Sequence, residues 1–251
     1  MLLPPSNSWG VVILAAGQGK RLGCTDMPKV MCPIGGKPII AYTVASLKEL
    51  GFTKKNIRLV VGFAHEKVRT YFGEAVEYVF QAEQLGTAHA ANLGVAALPP
   101  ACQSVLVMGG DDSAFYTTKT LVQFMMEHEQ SGATVSVLTA TVADPSKLGR
   151  IVRDASGKCT AILEKEQVNE VSAAITEINT GTYCFDRKWF QEIFPTMSKI
   201  DGLGEYGLNR TVEMAFMAGK NVQVVRMENP EEWFGVNTLD ELAEADRRKR
   251  L

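Results

Sequence analysis

The 251-residue sequence is short of several things, and each shortage closes off a class of protein. No stretch approaches the ~20 consecutive apolar residues of a membrane-spanning helix. The start, MLLPPSNSW, has neither a basic region nor a long apolar segment ahead of its prolines, so no signal peptide is expected. An excess of charge of one sign is missing too. The 26 Lys and Arg nearly balance the 28 Asp and Glu, for a net charge of −2, which leaves no bulk electrostatic case for nucleic acid or an anionic membrane. Cysteines are few and odd in number: Cys24, Cys32, Cys102, Cys159 and Cys184, with no C-x-x-C. Neither a disulfide framework nor a structural zinc site is expected, and the pattern suits a reduced, cytoplasmic protein. The three histidines, His65, His89 and His128, lie apart and have no Ser or Cys partner motif, which argues against a nucleophilic triad. Internal repeats, low-complexity tracts and a domain linker are absent as well, so residues 1–251 read as one domain.

What is present is an ordinary apolar share, 46%, arranged as short runs alternating with helical patterns. Trp9–Leu14 shows no polar alternation, as in a strand buried on both faces of a parallel sheet. Further strands are expected at 57–62, 76–80, 104–110 and 133–142. Helices are expected at 39–50, 66–72, 86–97 and 118–131, the helix at 86–97 being built of small residues that allow close packing. This order predicts an α/β, doubly wound, mostly parallel, Rossmann-like sheet, whose ligands collect at the carboxyl ends of the strands. After about residue 145 the rhythm changes. RIVRD, ASGK and CTAILEKE read as a hairpin over a cleft. A strand at 178–185, helices at 187–194 and 208–218, and a strand at 222–225 follow. Thr238 with Glu241 three residues on forms a capping box for a last helix ending at Arg250.

The stretch VVILAAGQGKRLGCTDMPKV (11–30) carries the chemistry. Gly17, Gly19 and Gly23 after a strand look like a loose dinucleotide fingerprint. Pro28 and Pro33 interrupt the helix that such a fingerprint requires, however, and no acidic residue ends the second strand to hold a ribose. A P-loop of the G-x-x-x-x-G-K-S/T type fails because Lys37 is followed by Pro38. A triphosphate fits better. A loop without side-chain bulk brings backbone N–H groups to phosphate oxygens, and Lys20, Arg21 and Lys29 supply matching charge. A plain tight turn with solvated lysines is the remaining alternative.

LAAGQGKR (14–21) with Pro28-Lys29 resembles the signature of nucleotidyltransferases of the sugar-phosphate pyrophosphorylase type. QAEQLGTAHA (81–90), LGRIVRDASGKCTAILEKE (148–166), EINTG (177–181), GEY (204–206) and GVN (235–237) occur in the order and at spacings similar to those of the pyrophosphorylase domain of bacterial N-acetylglucosamine-1-phosphate uridyltransferase. The resemblance covers about residues 9–245. It implies the nucleotide-diphospho-sugar transferase type of sheet, with an NTP-binding half at about 9–110 and an elaborated sugar-phosphate-binding half at about 111–240.

The implied reaction joins a nucleoside triphosphate, UTP first, to N-acetylglucosamine 1-phosphate or another hexose 1-phosphate. It releases pyrophosphate by in-line attack of an already ionised phosphate oxygen, so positioning and charge stabilisation replace a protein base. By the same resemblance Arg21, Lys29 and Asp111 are the catalytic residues. Leu14, Ala15, Ala16, Gly17, Gly19, Lys20, Gln81, Gly86 and Thr87 bind the nucleotide, with Gln81 reading the base and Gly86 leaving room for it. Gly149, Glu164, Asn179 and Thr180 face the acceptor. Mg²⁺ falls to Asp111 and Asn237, two hard oxygen ligands. Asp112 is expected to point elsewhere if the strand continues. The partners are the triphosphate and the sugar phosphate, with no nucleic acid and no membrane, and the assembly a monomer or small homo-oligomer.

Three departures fall on the acceptor side. Gly109 stands where the family has an aromatic, Asp112-Ser113-Ala114 where it has a small apolar residue and proline, and Asn209-Arg210 where it has Thr-Asp. The bifunctional relatives continue into an acetyltransferase β-helix; with no hexapeptide repeat before Leu251, that activity is not expected here. Two alternatives to uridylyl transfer are transfer from CTP or GTP to another phosphate acceptor, and a non-catalytic nucleotide-sugar-binding protein.

Overall fold

A computed structural model describes residues 8–19, 22–23, 26–145, 148–163, 168–200 and 202–251. In chain order, β1 (Trp9–Ala15) is followed by a small hairpin of β2 (Pro33–Ile34) and β3 (Lys37–Pro38), then α1 (Ile39–Glu49), β4 (Ile57–Val61), α2 (His65–Phe72), β5 (Glu77–Phe80), α3 (Thr87–Ala96) and β6 (Ser104–Gly109). The second half adds α4 (Thr118–Ser131), β7 (Val135–Thr141), β8 (Arg150–Arg153), β9 (Cys159–Leu163), β10 (Glu177–Asp186), α5 (Arg187–Ile193), α6 (Arg210–Met217), β11 (Val222–Arg226) and α7 (Leu239–Arg250).

The main sheet runs β11-β7-β10-β6-β1-β4-β5, and β8 hangs the β8–β9 hairpin on β10. β1 pairs in parallel with β4 and β6, β4 with β5, and β7 with β11. The exception is β10, antiparallel to both β6 and β7. It arrives from the hairpin side without a helical crossover, which is the condition for antiparallel insertion. A register shift between Asn179 and Tyr183 bulges it in mid-strand.

Both faces of the sheet are covered, which explains the uninterrupted apolar run of β1. Trp9, Val11, Ile13 and Ala15 pack with residues of α1 and α4, while Val12 packs with residues of α3 and α5. The small residues of α3 are needed for this. A Cβ on Gly94 would stand 2.4 Å from Val12 and 3.0 Å from Val60, so the helix rides directly on β1 and β4. Helix ends follow local chemistry. Thr117 accepts from Thr120 N at the start of α4, Gly132 closes it in the left-handed region, and Thr238 and Glu241 form the reciprocal capping box of α7.

The parallel strands bring the chain after Ala15, Phe80 and Gly109 to one edge of the sheet. No helix of the described residues is long and apolar enough to cross a membrane.

Candidate active site

A cavity of about 470 Å³ opens at that edge, between the ends of β1 and β6 and the bulge of β10. The size suits a small-molecule ligand. One wall is made of Leu14, Ala16 and Gly17, where β1 runs out into a loop. Gln84, whose Nε2 donates to Ala16 O at 2.9 Å, braces that loop. Ala15, in the same run, faces the opposite way, 1% exposed in the core beneath α1, because successive strand residues alternate faces.

A second wall carries Gln81, Gly86 and Thr87. Gln81 is 4% exposed, and its Nε2 lies 3.3 Å from Gly86 O and 3.1 Å from His89 Nδ1. The segment 205–208 is laced to this wall. Tyr206 N donates to Leu85 O (2.7 Å), Ala88 N to Tyr206 O (2.9 Å), and Leu208 N to Thr87 Oγ1 (2.9 Å). Gly86 has φ +99°, and a Cβ there would stand 2.6 Å from Tyr206 O and 2.8 Å from Tyr206 N. The space expected to be left for a base is therefore taken by backbone at that point, and the glycine is what lets segment 205–208 dock.

Lys29, Asp111 and Asn237 meet on the third side. Lys29 enters because Gly19, at φ +69°, has no side chain; a Cβ there would lie 2.6 Å from Lys29 Cβ and 3.1 Å from its Cα. Asn237 is set by the capping box of α7, since Glu241 Oε2 accepts from both Asn237 N (2.6 Å) and Thr238 N (2.9 Å). Val236 N donates to Asp111 O at 3.2 Å, which ties the Asn237 segment to the turn after β6. The ammonium of Lys29 donates to Asp111 Oδ2 and, at 2.8 Å, to Asn237 Oδ1. The side chains of Lys29 and Asp111 are 13% and 29% exposed. A carboxylate oxygen and an amide oxygen from residues 126 positions apart thus already converge on one cationic centre. Both are hard donors, so the pair fits a divalent ion such as Mg²⁺ with phosphates and water completing its shell.

The turn after β6 corrects one expectation. β6 ends at Gly109 and does not continue through Asp111 and Asp112, and Ser113 Oγ donates to Gly109 O (2.5 Å) while pairing with Thr43 Oγ1 (2.9 Å). With the strand ended, alternation no longer sends Asp111 and Asp112 to opposite sides, and both line the cavity. Asp112 is half-buried as a residue, but its Oδ1 is shielded and accepts no hydrogen bond. Burial, then the neighbouring Asp111, push its carboxyl well above the ordinary range, and Lys29 opposes them.

The acceptor-side residues sit on β10 and the hairpin. Gly149 lines the cavity, held by Arg150, whose Nη1 donates to Pro145 O (2.5 Å) and to Leu148 O. Asn179 also lines it, spanning the bulge by donating to Tyr183 Oη (2.6 Å) and accepting from Gly181 N (2.9 Å). Thr180 points away, 2% exposed, with Oγ1 donating to Leu138 O at 2.7 Å. Two residues before Asn179, Glu177 ties β10 to its neighbours. It accepts from Arg153 (2.7 and 2.8 Å), Arg226 (2.6 Å) and Thr139 (2.7 Å). Burial alone would raise its carboxyl, yet these donors hold it down at about 2.

Lys20, Arg21 and Glu164 lie outside the described residues. Sequence reading missed Gln84, Asp112, Glu205 and Asn209, all on the cavity wall. Gln84 and Glu205 lie inside the quoted motifs QAEQLGTAHA and GEY, and Asp112 and Asn209 stand among the acceptor-side departures, so place in sequence was the available signal.

The chain is similar over most of its length to proteins already characterised by name. Bifunctional protein GlmU of Bacillus mycoides (strain KBAB4) is 39% identical over 238 residues, covering 94% of this chain and 50% of that protein. GlmU of Geobacillus sp. (strain WCH70) is 39% identical over 239 residues, covering 95% and 51%. The chain thus spans about half the length of the curated relatives it matches. A protein described as a glucose-1-phosphate thymidylyltransferase of Bacillus anthracis, solved with sucrose, shares the fold at a TM-score of 0.80 and 23% identity, over 96% of this chain and 95% of that one. The model of the Nucleotidyl transferase family matches residues 10–250, which take in every wall of the cavity, and the chain belongs to that family.

Proposed function

We propose that the protein is a sugar-1-phosphate nucleotidyltransferase. It joins a nucleoside triphosphate, UTP by preference, to N-acetylglucosamine 1-phosphate or another hexose 1-phosphate, and releases pyrophosphate. The observation that carries this reading is the convergence of Asp111 Oδ2 and Asn237 Oδ1 on the Lys29 ammonium, at a cavity of about 470 Å³ whose far wall is side-chain-poor backbone. Residues 9–110 supply the triphosphate side of this reading, and about 111–240 the acceptor side.

The attacking phosphate oxygen is ionised near neutral pH, so no residue has to remove a proton. The work left to the chain is to align two anions and offset the charge that moves between them. Leu14, Ala16 and Gly17 present backbone rather than side chains to the nucleotide, and Gly19 turns the loop. Lys29 is a mobile point charge on a flexible stem, able to follow charge from the α-phosphate to the leaving pyrophosphate. Asp111 and Asn237 would hold Mg²⁺, which when bound supplies charge neutralisation to both reactants. Gln81 offers an amide for a base edge, and Asn179 and Gly149 bound the acceptor end.

A matrix of four triphosphates against several sugar 1-phosphates, with Mg²⁺ and pyrophosphate release as readout, tests the reading. Release is expected only with all three components and most strongly with UTP. A folded protein that releases none with any sugar 1-phosphate overturns it, and a strict need for a non-sugar phosphate acceptor reassigns it.

A further inference from the structure

The reaction just described gives Asp112 no task, yet its carboxyl group packs against positions that carry no side chain. Two residues without side chains flank it. A Cβ on Gly109 would stand 2.7 Å from Asp112 Oδ1, and one on Gly181, at φ +79° in the β10 bulge, 3.5 Å from Asp112 Oδ2. The group lies at the acceptor end of the cavity, between the turn after β6 and the bulge that carries Asn179. Its Oδ1 is shielded from solvent and has no hydrogen-bond partner. The nearby Tyr116 hydroxyl is paired with Thr182 Oγ1 at 3.2 Å. Among the described residues the cavity wall carries Asp111, Asp112 and Glu205, and the Lys29 ammonium beside it is paired with Asp111.

A shielded carboxyl oxygen without a hydrogen-bond partner is stabilised by any ligand that brings it a donor. Ionised phosphates bring acceptor oxygens only. The donors among the substrates that would reach this end are the O–H groups of a sugar ring and the N–H of an amino or acylamino substituent. We infer that Asp112 is a specificity-determining residue: its Oδ1 accepts a hydrogen bond from one O–H or N–H donor of the acceptor sugar, and sugars without a donor at that place are used less well. This rests on the sugar-1-phosphate reading above. A side chain at position 109 would displace the carboxyl group, whereas one at 181 would only touch it.

The test is a set of sugar 1-phosphates with one ring substituent at a time replaced by hydrogen, and with amino, acetamido and uronic variants. Each is assayed with the wild type and with Asp112→Ala. The wild type is expected to lose about 10- to 100-fold in kcat/KM when the recognised donor is deleted, the range for leaving a shielded acceptor unpaired. In Asp112→Ala that same deletion is expected to change kcat/KM by less than about threefold, because the partner is already gone. The amino and acetamido members tell an N–H donor from an O–H donor. A purely structural role for Asp112 would lower all sugars by one common factor; that result, or the absence of any position with this coupling, overturns the inference while leaving the reaction class intact. Should Asp112→Ala not fold, Asp112→Leu, close in size and without a hydrogen-bonding atom, is read in the same way. If the wild type uses no sugar 1-phosphate at all, the reaction class and this inference fall together.

Discussion

Replacing Lys29 with Met is expected to move metal binding and catalysis in opposite directions. The Lys29 ammonium occupies the space between Asp111 Oδ2 and Asn237 Oδ1, so it competes for the two oxygens that a divalent ion needs. The competition is not trivial, because the pair is largely shielded, at 13% and 29% exposure. Hydrogen bonds to charged groups contribute about 1.5–3 kcal/mol when sheltered from water, and Asp111 is open enough to keep the total at about that figure. Removing the competitor is then expected to tighten binding of Mn²⁺, the probe ion, by about 10- to 100-fold in the absence of nucleotide. Turnover is expected to fall by about 10²- to 10³-fold, since the mobile charge that offsets the transferring phosphates is lost. Mn²⁺ titration by electron paramagnetic resonance or calorimetry reads the first effect, and pyrophosphate release the second. Lys67→Met is the control for bulk charge, because Lys67 is exposed and pairs with Asp26 away from these oxygens; it is expected to change Mn²⁺ affinity by less than about twofold. Unchanged or weaker Mn²⁺ binding in Lys29→Met would refute the view that the lysine sits in the cation's place.

Gly86→Ala is expected to weaken nucleotide binding by at least about tenfold and to lower the melting temperature, because its Cβ would meet Tyr206 backbone 2.6 Å away at a φ of +99°; thermal melts with and without UTP check it. Glu177→Gln is expected to lose about 1–3 kcal/mol in urea unfolding at pH 7, a discounted figure because Arg153 and Arg226, at 24% and 54% exposure, can return to water. With a folded value of about 2 against an ordinary 4.5, this contribution is present above pH 4.5 and lost as pH falls toward 2, so the variant and the wild type converge in acid. His128, 3% exposed and 2.7 Å from Ser136 Oγ, is held neutral by burial, with its value lowered from 6.5 to about 4. Its stabilisation is complete above pH 6.5 and lost as pH falls through that window, so His128→Gln is expected to remove about 2–4 kcal/mol of the wild type's stability loss between pH 7.5 and 4, measured by urea unfolding.

The parts of this molecule that are local were legible in the sequence. The capping box of Thr238 and Glu241 is a three-residue bargain between side chain and backbone, and it forms as read. The small-residue pattern of 86–97 announces a helix pressed against a sheet, and Gly94 against Val12 is that contact. Placement of β10 was not legible. Eight of its ten residues, 178–185, read as a strand, but its insertion antiparallel between β6 and β7 depends on partners 76 and 48 residues away, at Tyr183↔Val107 and Cys184↔Ser136, which no local pattern encodes. The direction of Asp112 failed for a related reason. Alternation is a reliable guide only while a strand lasts, and the hydrogen bonds of Ser113 to Gly109 and Thr43 end it early.

Gly19 shows where the two kinds of information meet. A glycine four residues past a strand, inside G-x-G, announces a backbone turn, and φ is +69° there. Nothing local says that Lys29 crosses the same glycine, within 3.1 Å of a Cβ that is missing. The two facts are one constraint. A side chain at position 19 would strain the turn that aims backbone at the cavity and would also push Lys29 off Asp111 and Asn237, so the loop and the cation are coupled through one absent atom. Gly19→Ala is therefore expected to lose both properties together: Mn²⁺ affinity is expected to rise toward that of Lys29→Met, and nucleotide affinity to fall at least about tenfold, because a residue forced to positive φ beside a backbone contact gives up order of 1–3 kcal/mol. A variant in which nucleotide binding collapses while Mn²⁺ affinity stays at the wild-type value would show that the lysine is placed by something other than this glycine.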